Sequence, residues 1–422
     1  MAMKVRVLLS SVVLLTTMWL VGCGHYTCGI TFGSSTCTPG TNTTPPSSSA
    51  NAFAYAVDQN GSMDGYALNL TASTFGPISS YTAPVIPANM GSVGVVVAQG
   101  KFLYTVLEDS QQIYGWSIGS SGTLTALSNF PVSVPTLSNI AGATYNQQVV
   151  ITNPAGTLLF ISEFADEEIL VYQISSTGAL TPVVGSPFST LVGFPFEPQN
   201  MAMDGKGRFL YVTEDSGDHS GTFVVGYSVT STGANAGALT QIVGSPFANT
   251  PIWEMQGDPS GNYMIGISGR VAFLYGSDDP NLYVYTIDQT TGALSPAGTP
   301  FPFPTVYSPF NIAVQPQSIN GEFVYSFSIN DADTSANLIE GYQLNSTTGQ
   351  LKAVAGSPFN SVTTPTGQGQ FDQSGNYMFI YSGSATGNSL GVVNVASTGA
   401  LTETLPTTSL TTGGYWAVTD VP

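Results

Sequence analysis

The stretch Leu170-Val-Tyr-Gln-Ile-Ser-Ser-Thr-Gly-Ala-Leu-Thr-Pro-Val-Val-Gly-Ser-Pro-Phe188 decides the fold, because the same pattern returns along the chain. A second clear copy reads Leu282-Tyr-Val-Tyr-Thr-Ile-Asp-Gln-Thr-Thr-Gly-Ala-Leu-Ser-Pro296. The copies recur about every 55 residues between Phe53 and Val418, and a repeat of that length indicates one small unit of secondary structure that is copied and stacked. The repeat therefore predicts one closed array in place of several ordinary domains.

Each copy is predicted to consist of strands, because apolar and polar residues alternate within it and turn residues separate the alternating runs. The second strand of each copy carries an aromatic residue. These residues are Tyr55, Tyr104, Phe160, Tyr211, Tyr263, Tyr325 and Tyr377. In the third strand an aromatic residue is followed two positions later by an aliphatic one, so that both lie on one face. These pairs are Tyr66/Leu68, Trp116/Ile118, Tyr172/Ile174, Tyr227/Val229, Tyr285/Ile287 and Tyr342/Leu344, and the seventh copy has Val393/Val395.

The innermost strand of each copy precedes the aromatic strand. Six such strands are visible at Val93–Ala98, Val149–Asn153, Asn200–Asp204, Trp253–Gly257, Asn311–Gln315 and Gly369–Asp372. The first copy begins directly at its second strand, but Trp416-Ala417-Val418 near the end of the chain resembles Met201-Ala202-Met203. We therefore predict an all-β fold, a seven-bladed β-propeller of four-stranded blades. In it the C-terminal strand closes the ring and removes the sheet edges.

The repeat segments also point to a family. Gly207-Arg-Phe-Leu-Tyr-Val-Thr213, the Thr-Gly-Ala-Leu turns and the Gly-Ser-Pro-Phe segments resemble the lactonase-like seven-bladed propellers, which include bacterial 6-phosphogluconolactonases and YVTN-repeat surface proteins. The resemblance covers nearly all of residues 51–422. For an active member it implies a cluster of His, Arg and acidic side chains at one mouth of the channel. Since the matching residues build strands and turns, they indicate the fold more strongly than the activity.

The first residues are typical of an export signal. Lys4 and Arg6 precede an apolar stretch from Val7 to Leu20, and Leu20-Val-Gly-Cys23 follows, as expected of a removable signal. The tetrapeptide resembles the bacterial lipobox, which implies that Cys23 is acylated; the alternative is a buried cysteine after a hydrophobic helix. We predict a signal peptide at 1–22, a lipidated Ser/Thr/Pro-rich tether at 23–50 and the propeller at 51–422. The predicted location is the bacterial outer membrane, on its periplasmic face or at the cell surface.

Two further cysteines, Cys28 and Cys37, lie in the predicted tether. In an oxidising compartment they would form a disulfide that closes a small loop. The alternative is a metal pair, for which His25 is the only nearby histidine.

The balance of charge excludes one class of partner. The chain has 25 acidic residues against seven Lys and Arg, and loss of Lys4 and Arg6 with the signal would leave five basic residues. Binding to a nucleic-acid backbone needs clustered basic residues, so we predict no nucleic-acid partner. We also predict a monomeric propeller.

Candidate catalytic residues are few. The predicted propeller has one histidine, His219, and two arginines, Arg208 and Arg270. His219 as a general base would need a substrate and an orienting partner beside it. We keep His219 and Arg270 as catalytic candidates, against the alternative that both are surface-loop residues. Arg208 lies in a turn that we expect on the other face, and scattered cations of this kind make a poor phosphate clamp.

One apparent nucleophile motif is expected to be false. Gly115-Trp-Ser-Ile-Gly119 matches the Gly-x-Ser-x-Gly pattern, which requires a strand, a turn and a helix to expose its serine. Here the segment aligns with Val171-Tyr-Gln-Ile-Ser175 inside a third strand.

Acidic residues recur at a fixed place in the repeat. Asp58, Glu163 and Glu214 stand three residues after the second-strand aromatic, so that they should lie at one end of the ring. One interpretation is a solvated acidic rim. The alternative is a site for a polyol or for a cation such as Ca²⁺, which carboxylates suit. We predict that no cofactor is required and keep Ca²⁺ as a candidate ligand.

Two functional hypotheses follow. The first is a non-catalytic binding or scaffolding module of the cell envelope that recognises a glycan, a peptide or a protein partner. The second is a lactonase-type hydrolase acting on a neutral lactone, with carboxylates and His219 as acid and base. The scarcity of candidate bases and cations favours the first.

Overall fold

The structure is a computed structural model. It describes residues 26–31, 34–39, 52–57, 63–70, 73–79, 81–84, 86, 93–107, 111–134, 149–163, 167–190, 196–216, 222–247, 252–268, 280–303, 307–316, 322–330, 338–359, 368–384, 387–410 and 415–420. The chain forms two compact units, Met1–Ser49 and Ala50–Pro422. Every regular element within the described residues is a strand. Those residues contain no helix with the length and apolar character needed to cross a membrane.

In the first unit, the strands β1 (Tyr26–Thr31) and β2 (Ser34–Pro39) pair antiparallel. The second unit contains seven sheets, which are its blades, and the described strands follow in chain order. The first blade has β3 (Ala52–Val57), β4 (Met63–Asn69) and β5 (Thr74–Pro77). The second has β6 (Val93–Ala98), β7 (Phe102–Leu107), β8 (Gln112–Ile118), β9 (Leu124–Ala126) and β10 (Val132–Ser133). The third has β11 (Val150–Thr152), β12 (Leu158–Glu163), β13 (Glu168–Ile174), β14 (Leu180–Pro182) and β15 (Phe188–Ser189). The fourth has β16 (Phe196–Met203), β17 (Phe209–Ser216), β18 (Thr222–Val229) and β19 (Leu239–Gln241). The fifth has β20 (Glu254–Gly257), β21 (Tyr263–Ile267), β22 (Asn281–Ile287), β23 (Leu294–Pro296) and β24 (Phe301–Pro302). The sixth has β25 (Tyr307–Val314), β26 (Glu322–Asn330), β27 (Leu338–Leu344) and β28 (Leu351–Ala353). The seventh has β29 (Gly369–Phe371), β30 (Tyr377–Ser384), β31 (Gly387–Val395) and β32 (Leu401–Leu410), and β33 (Tyr415–Asp420) joins the first blade.

Each blade is an antiparallel sheet with four strand positions, as the order β16-β17-β18-β19 in the fourth blade illustrates. In the second, third and fifth blades the outermost position is divided between two short strands that both pair with the third strand. The predicted seven-bladed fold with four-stranded blades is confirmed.

The ring closes between the two ends of the propeller. Strand β33 pairs with β3 along its whole length, with Tyr55 opposite Ala417 and Val57 opposite Tyr415. The first blade thus receives its innermost strand from the C-terminus, and the predicted closure is confirmed.

The core lies between blades. Within the described residues, seven clusters of buried apolar side chains form, one for each pair of neighbouring blades. One of them joins Phe160 and Val171 of the third blade to Val212 and Tyr227 of the fourth. Since alternate strand residues point to opposite faces, each blade contributes one face to each of two clusters.

Two of the predicted second-strand aromatics lie two residues away from the repeat position. In the fourth blade, Tyr211 is opposite Ala202 of the inner strand. In the fifth and seventh blades the matching residues are Ile265 and Phe379, opposite Gln256 and Gln370. Tyr263 and Tyr377 stand two places earlier in the same second strands, so both aromatics lie in the predicted strands but not at the aligned position. The preceding turn fixes the register, because Tyr263 follows Asp258 by the same number of residues as Phe209 follows Asp204.

Candidate active site

The two ends of the propeller differ in chemistry. At the loop end, marked by Glu163 and Glu214, the second strands finish and the inner strands begin. At the opposite turn end, marked by Asp204 and Asp258, the inner strands finish. Antiparallel neighbours impose this alternation.

Acidic residues at the turn end stabilise the turns by accepting hydrogen bonds from backbone N–H groups. One carboxylate oxygen of Asp204 accepts hydrogen bonds from the backbone N–H groups of Arg208 at 2.6 Å and Phe209 at 2.9 Å. Asp258 accepts in the same way from Asn262 at 2.8 Å and Tyr263 at 2.6 Å. These carboxylates satisfy backbone donors, so their role is structural.

Arg208 also has a structural role. Its guanidinium forms a 2.8 Å ion pair with Asp204 and donates to the Gly261 carbonyl oxygen of the next blade at 3.0 Å. The side chain therefore joins two blades at the turn end, the face on which the sequence placed it.

The Gly-x-Ser-x-Gly segment is a strand, as predicted. Ser117 lies in β8 and its hydroxyl donates to the Thr125 carbonyl oxygen of the neighbouring strand at 3.3 Å. No turn into a helix follows Ser117 in residues 111–134, so the serine lacks the setting of a nucleophile.

A cavity of about 730 Å³ lies among the inner strands β6, β11, β16, β20 and β25. Its polar lining is mainly of uncharged amides, including those of Asn153, Asn200, Gln256 and Gln315. Amide groups both donate and accept hydrogen bonds, which suits an uncharged, hydroxyl-rich molecule.

At the loop end, polar side chains connect successive inner strands. The Asn200 side-chain oxygen accepts from the Met255 N–H at 3.3 Å. A Glu254 carboxylate oxygen accepts from the Asn311 side-chain amide at 2.7 Å, and the Asn311 oxygen accepts from the Gly369 N–H at 3.0 Å. A polar arc of Asn200, Glu254 and Asn311 thus runs across the fourth to seventh blades.

The sequence interpretation placed these residues in or beside inner strands and missed them as site residues. The sequence did contain a pattern that could have identified them. Each residue of the polar arc stands four residues before the side chain at the end of its inner strand, which is Asp204, Asp258 or Gln315. At the same position, judged from the strand pairing, the second and third blades have Gly94 and Val149. Only some blades are therefore polar at this level of the channel.

Backbone irregularities mark the same level. The pairing of β16 with β17 shifts between Pro198 and Asn200, and that of β25 with β26 shifts between Pro309 and Asn311. Each bulge inserts one residue, Gln199 or Phe310. Bulges re-aim neighbouring side chains and are common beside active sites.

Glu214 lies next to the first bulge, directly opposite Pro198. Its side chain is completely buried and neither carboxylate oxygen has a hydrogen-bond partner. Burial raises the pKa of Glu214 well above its usual range, and the charge of Glu167 raises it further. The nearby Thr190 hydroxyl offsets part of this rise, and in the structure it donates a hydrogen bond to the Glu167 carbonyl oxygen at 2.9 Å. Burial therefore favours the protonated form of Glu214.

Glu163 is also buried, at 1% exposure, and stands opposite Glu168 across β12 and β13. The interpretation as a solvated acidic rim thus fails for both Glu163 and Glu214. In the described part of the chain, no group of three or more His, Cys, Asp and Glu side chains is placed to hold a metal ion. Asp58 lies outside that part, and the Ca²⁺ site stays a prediction.

Other predicted site residues fall outside the described residues, namely Cys23, His219 and Arg270. For Cys28 and Cys37 the backbone is described, and the two residues are directly opposite each other in the pairing of β1 with β2.

Comparison with known proteins identifies similar sequences. Residues 83–252 match the family model of the lactonase with a 7-bladed beta-propeller. A 6-phosphogluconolactonase of Pectobacterium carotovorum is 28% identical over 254 residues, which cover 60% of this chain and 64% of that one. A 6-phosphogluconolactonase of Erwinia tasmaniensis is 24% identical over 237 residues, covering 56% and 60%. The chain therefore spans less than two thirds of the length of these relatives.

Solved structures show the same fold. The periplasmic gluconolactonase of Pseudomonas aeruginosa superimposes with a TM-score of 0.60 at 15% identity, over 88% of this chain and 99% of that one. A protein from Lactobacillus plantarum gives a TM-score of 0.63 at 14% identity, over 87% and 99%.

The hypothesis of a non-catalytic binding or scaffolding module is wrong in the light of these relatives, which are named lactonases. The sequence interpretation gave too much weight to the small number of basic residues, whereas the lactonase alternative agrees with the matches. The predicted resemblance to the lactonase-like seven-bladed β-propellers is confirmed by the family model, the related sequences and the shared fold.

Proposed function

We propose that the protein hydrolyses a lactone. The observation that carries the proposal is the similarity to named 6-phosphogluconolactonases over more than half of the chain, at 28% identity for the Pectobacterium carotovorum relative. The polar arc supplies hydrogen-bonding groups at the loop end, and Glu214 is a buried acid at the same end of the fourth blade.

The reaction has simple requirements. A water oxygen bonds to the lactone carbonyl carbon, and the bond between that carbon and the ring oxygen breaks. One proton leaves the water and one reaches the ring oxygen, so that the product is a hydroxy acid. A group that exchanges a proton near neutral pH accelerates such a step by roughly 100-fold to 10,000-fold.

Glu214 is the described residue best suited to that exchange. Its pKa is raised by burial, and a perturbed pKa of this kind is typical of groups that transfer protons in active sites. The bulge opposite it leads into Asn200, which lines the cavity. In this proposal Glu214 exchanges the proton and the Asn200 amide orients the lactone. His219 follows Glu214 by five residues and remains a predicted partner.

The test is the hydrolysis of glucono-1,5-lactone and 6-phosphoglucono-1,5-lactone by the purified protein, followed by acid release at constant pH with the spontaneous rate subtracted. We expect enzymatic turnover of at least one of them. Glu214→Gln should lower kcat by about 100-fold or more, the loss expected of a general acid–base group.

The matched control is Glu322→Gln. Glu322 is also buried in a second strand, at 3% exposure, but at the turn end. Its replacement should leave kcat within about twofold of the parent, since general acid–base catalysis needs contact with the reacting atoms. A chain that folds correctly and hydrolyses neither lactone would overturn the proposed function.

We also propose that the protein is anchored to the bacterial envelope through acylated Cys23, with residues 23–50 as the tether. Support comes from Lys4, Arg6 and the Leu20-Val-Gly-Cys23 segment. In a bacterial host the chain should incorporate labelled palmitate, and Cys23→Ala should abolish the label. Retention of the label in that variant would disprove the anchor.

A further inference from the structure

We infer that the lactone taken by this protein is uncharged and carries no phosphate group. The inference rests on the proposed hydrolysis and names its substrate class. It separates this chain from the relatives that are named for a phosphorylated lactone.

A phosphate monoester carries a charge of about −1.5 to −2 near neutral pH, and proteins hold it with Arg or Lys side chains. The chain has seven Lys and Arg residues in all, of which Lys4 and Arg6 precede Cys23. The remaining five are Lys101, Lys206, Arg208, Arg270 and Lys352. Any phosphate clamp of the propeller must draw on these five.

Four of the five are described, and they lie away from the loop end. Lys101 stands in the turn from β6 to β7. Lys206 and Arg208 lie in the turn from β16 to β17, where the Lys206 ammonium donates to Gln289 at 3.2 Å and Arg208 pairs with Asp204. Lys352 lies in the outermost strand β28. Arg270 falls outside the described residues, so within the described part of the chain no Lys or Arg lies at the loop end.

Carboxyl groups occupy the loop end of the third and fourth blades. Glu163 and Glu168 are opposite each other in adjacent strands of the third blade, and Glu167 precedes Glu168 in sequence. The charge of Glu167 also acts on Glu214 of the fourth blade and raises its pKa. A phosphate dianion brought to this region would meet like charges where burial weakens screening. Electrostatics there therefore oppose a phosphorylated lactone.

The same region suits hydroxyl groups. The side chain of Asn200 lines the cavity. Amides recognise hydroxyls by donating and accepting hydrogen bonds, without any need for a charge on the ligand. An uncharged sugar lactone satisfies both the amides and the local charge.

The experiment compares kcat/KM for glucono-1,5-lactone and 6-phosphoglucono-1,5-lactone with the full chain at low ionic strength. We expect kcat/KM to be at least tenfold higher for the uncharged lactone. Equal values, or a preference for the phosphorylated lactone, would overturn the inference and leave the proposed hydrolysis standing. No turnover of either lactone would overturn both.

Two variants test the electrostatic cause. Glu167→Gln removes one negative charge beside Glu214, and it should reduce the preference for the uncharged lactone by about threefold or more, the size expected for one partly screened charge. Asp288→Asn removes the same charge at the exposed turn that follows β22, and it should leave the preference unchanged. Equal shifts in the two variants would disprove a local effect of the loop-end carboxylates.

Discussion

The hydroxyl of Tyr211 donates a 2.7 Å hydrogen bond to the carbonyl oxygen of Gly292, which belongs to the next blade. The same bond joins three further pairs of neighbouring blades. These bonds run from Tyr55 to Gly122 at 2.8 Å, from Tyr104 to Gly178 at 2.7 Å and from Tyr325 to Gly399 at 2.7 Å. The Thr-Gly-Ala-Leu turn thus serves as the acceptor for a buried tyrosine of the preceding blade.

The residue directly opposite this position in the third strand is a glycine where the second strand has the tyrosine. Gly226 stands opposite Tyr211, and a side chain on Gly226 would meet the Phe247 ring at 2.7 Å. The glycine thereby leaves room for the Phe247 ring, whose centroid lies 6.4 Å from that of Tyr211. Where the tyrosine is replaced by Phe160, Ile265 or Phe379, the opposite residue is a valine. These valines are Val171, Val284 and Val392.

Removal of the Tyr211 hydroxyl should weaken the contact between the fourth and fifth blades. Tyr211→Phe leaves the Gly292 carbonyl oxygen without this buried donor, so the free energy of unfolding should fall by about 1–3 kcal/mol. Tyr114→Phe is the control, because the Tyr114 hydroxyl bonds to the Gln112 side chain of its own strand. Chemical denaturation would measure both, and an equal loss in the two variants would contradict the role of the inter-blade bond.

Stability should fall as the pH rises from 5 to 8. Burial raises the pKa of Glu322 to about 8 and that of Glu340 to about 7, and it raises that of Glu214 as well. In the unfolded chain these carboxyl groups release their protons near pH 4.5. Between that pH and the higher pKa of the folded state, the folded chain binds more protons than the unfolded chain, so its stability falls as the pH rises.

Urea denaturation at pH 5 and pH 8 in the same salt measures this effect. Glu340→Gln should reduce the difference between the two pH values by about 1–3 kcal/mol, given roughly 1.4 kcal/mol per pKa unit. Asp288→Asn is the control, since Asp288 is exposed and its pKa is lowered by hydrogen bonds from Thr290 and Thr291. Stability that rises from pH 5 to pH 8 would disprove the prediction.

Truncation of the chain should open the ring. Deletion of residues 413–422 removes β33, in which Trp416 and Ala417 are buried at 3% and 5% exposure. The loss should reach several kcal/mol at about 25 cal/mol per Å² of newly exposed apolar surface. Deletion of residues 421–422 alone is the control. A full-length melting temperature in the longer truncation would contradict closure by β33.

Cys28 and Cys37 should form a disulfide when the chain is oxidised. Two residues connect β1 to β2, and Thr31 is opposite Ser34 at that connection. In such a hairpin the flanking pair is hydrogen-bonded and the pairs then alternate, so Cys28 and Cys37 form a non-hydrogen-bonded pair. The Cα atoms of such pairs lie about 4.5 Å apart, within the range of disulfides.

Oxidised glutathione would be the oxidant, accepting two electrons and two protons from the two thiols. Mass spectrometry without reductant should then show a linked peptide that Cys37→Ser abolishes. Two free thiols, or only mixed disulfides with glutathione, would disprove the pairing. Zinc binding by the reduced chain would instead favour the alternative metal pair.

The sequence specifies the fold because strand alternation and turn residues are local, and because Trp416-Ala417-Val418 repeats an inner-strand pattern. The register of Tyr263 was not visible, since the turn from Asp258 sets it. The contact of Glu254 with Asn311 was also hidden, because the partners belong to different blades and are separated by 57 residues. The burial of Glu214 depends on packing against the third blade, which no pattern within one repeat reports.

The pairing of β3 with β33 also sets an order of events during biosynthesis. Until residues 415–420 leave the ribosome, the first blade exposes the backbone groups of β3 to any other strand. Chaperone protection of this early edge would then limit the yield of folded protein. A circular permutant whose ends lie between two blades would make all seven blades continuous in sequence, and it should mature without this delay.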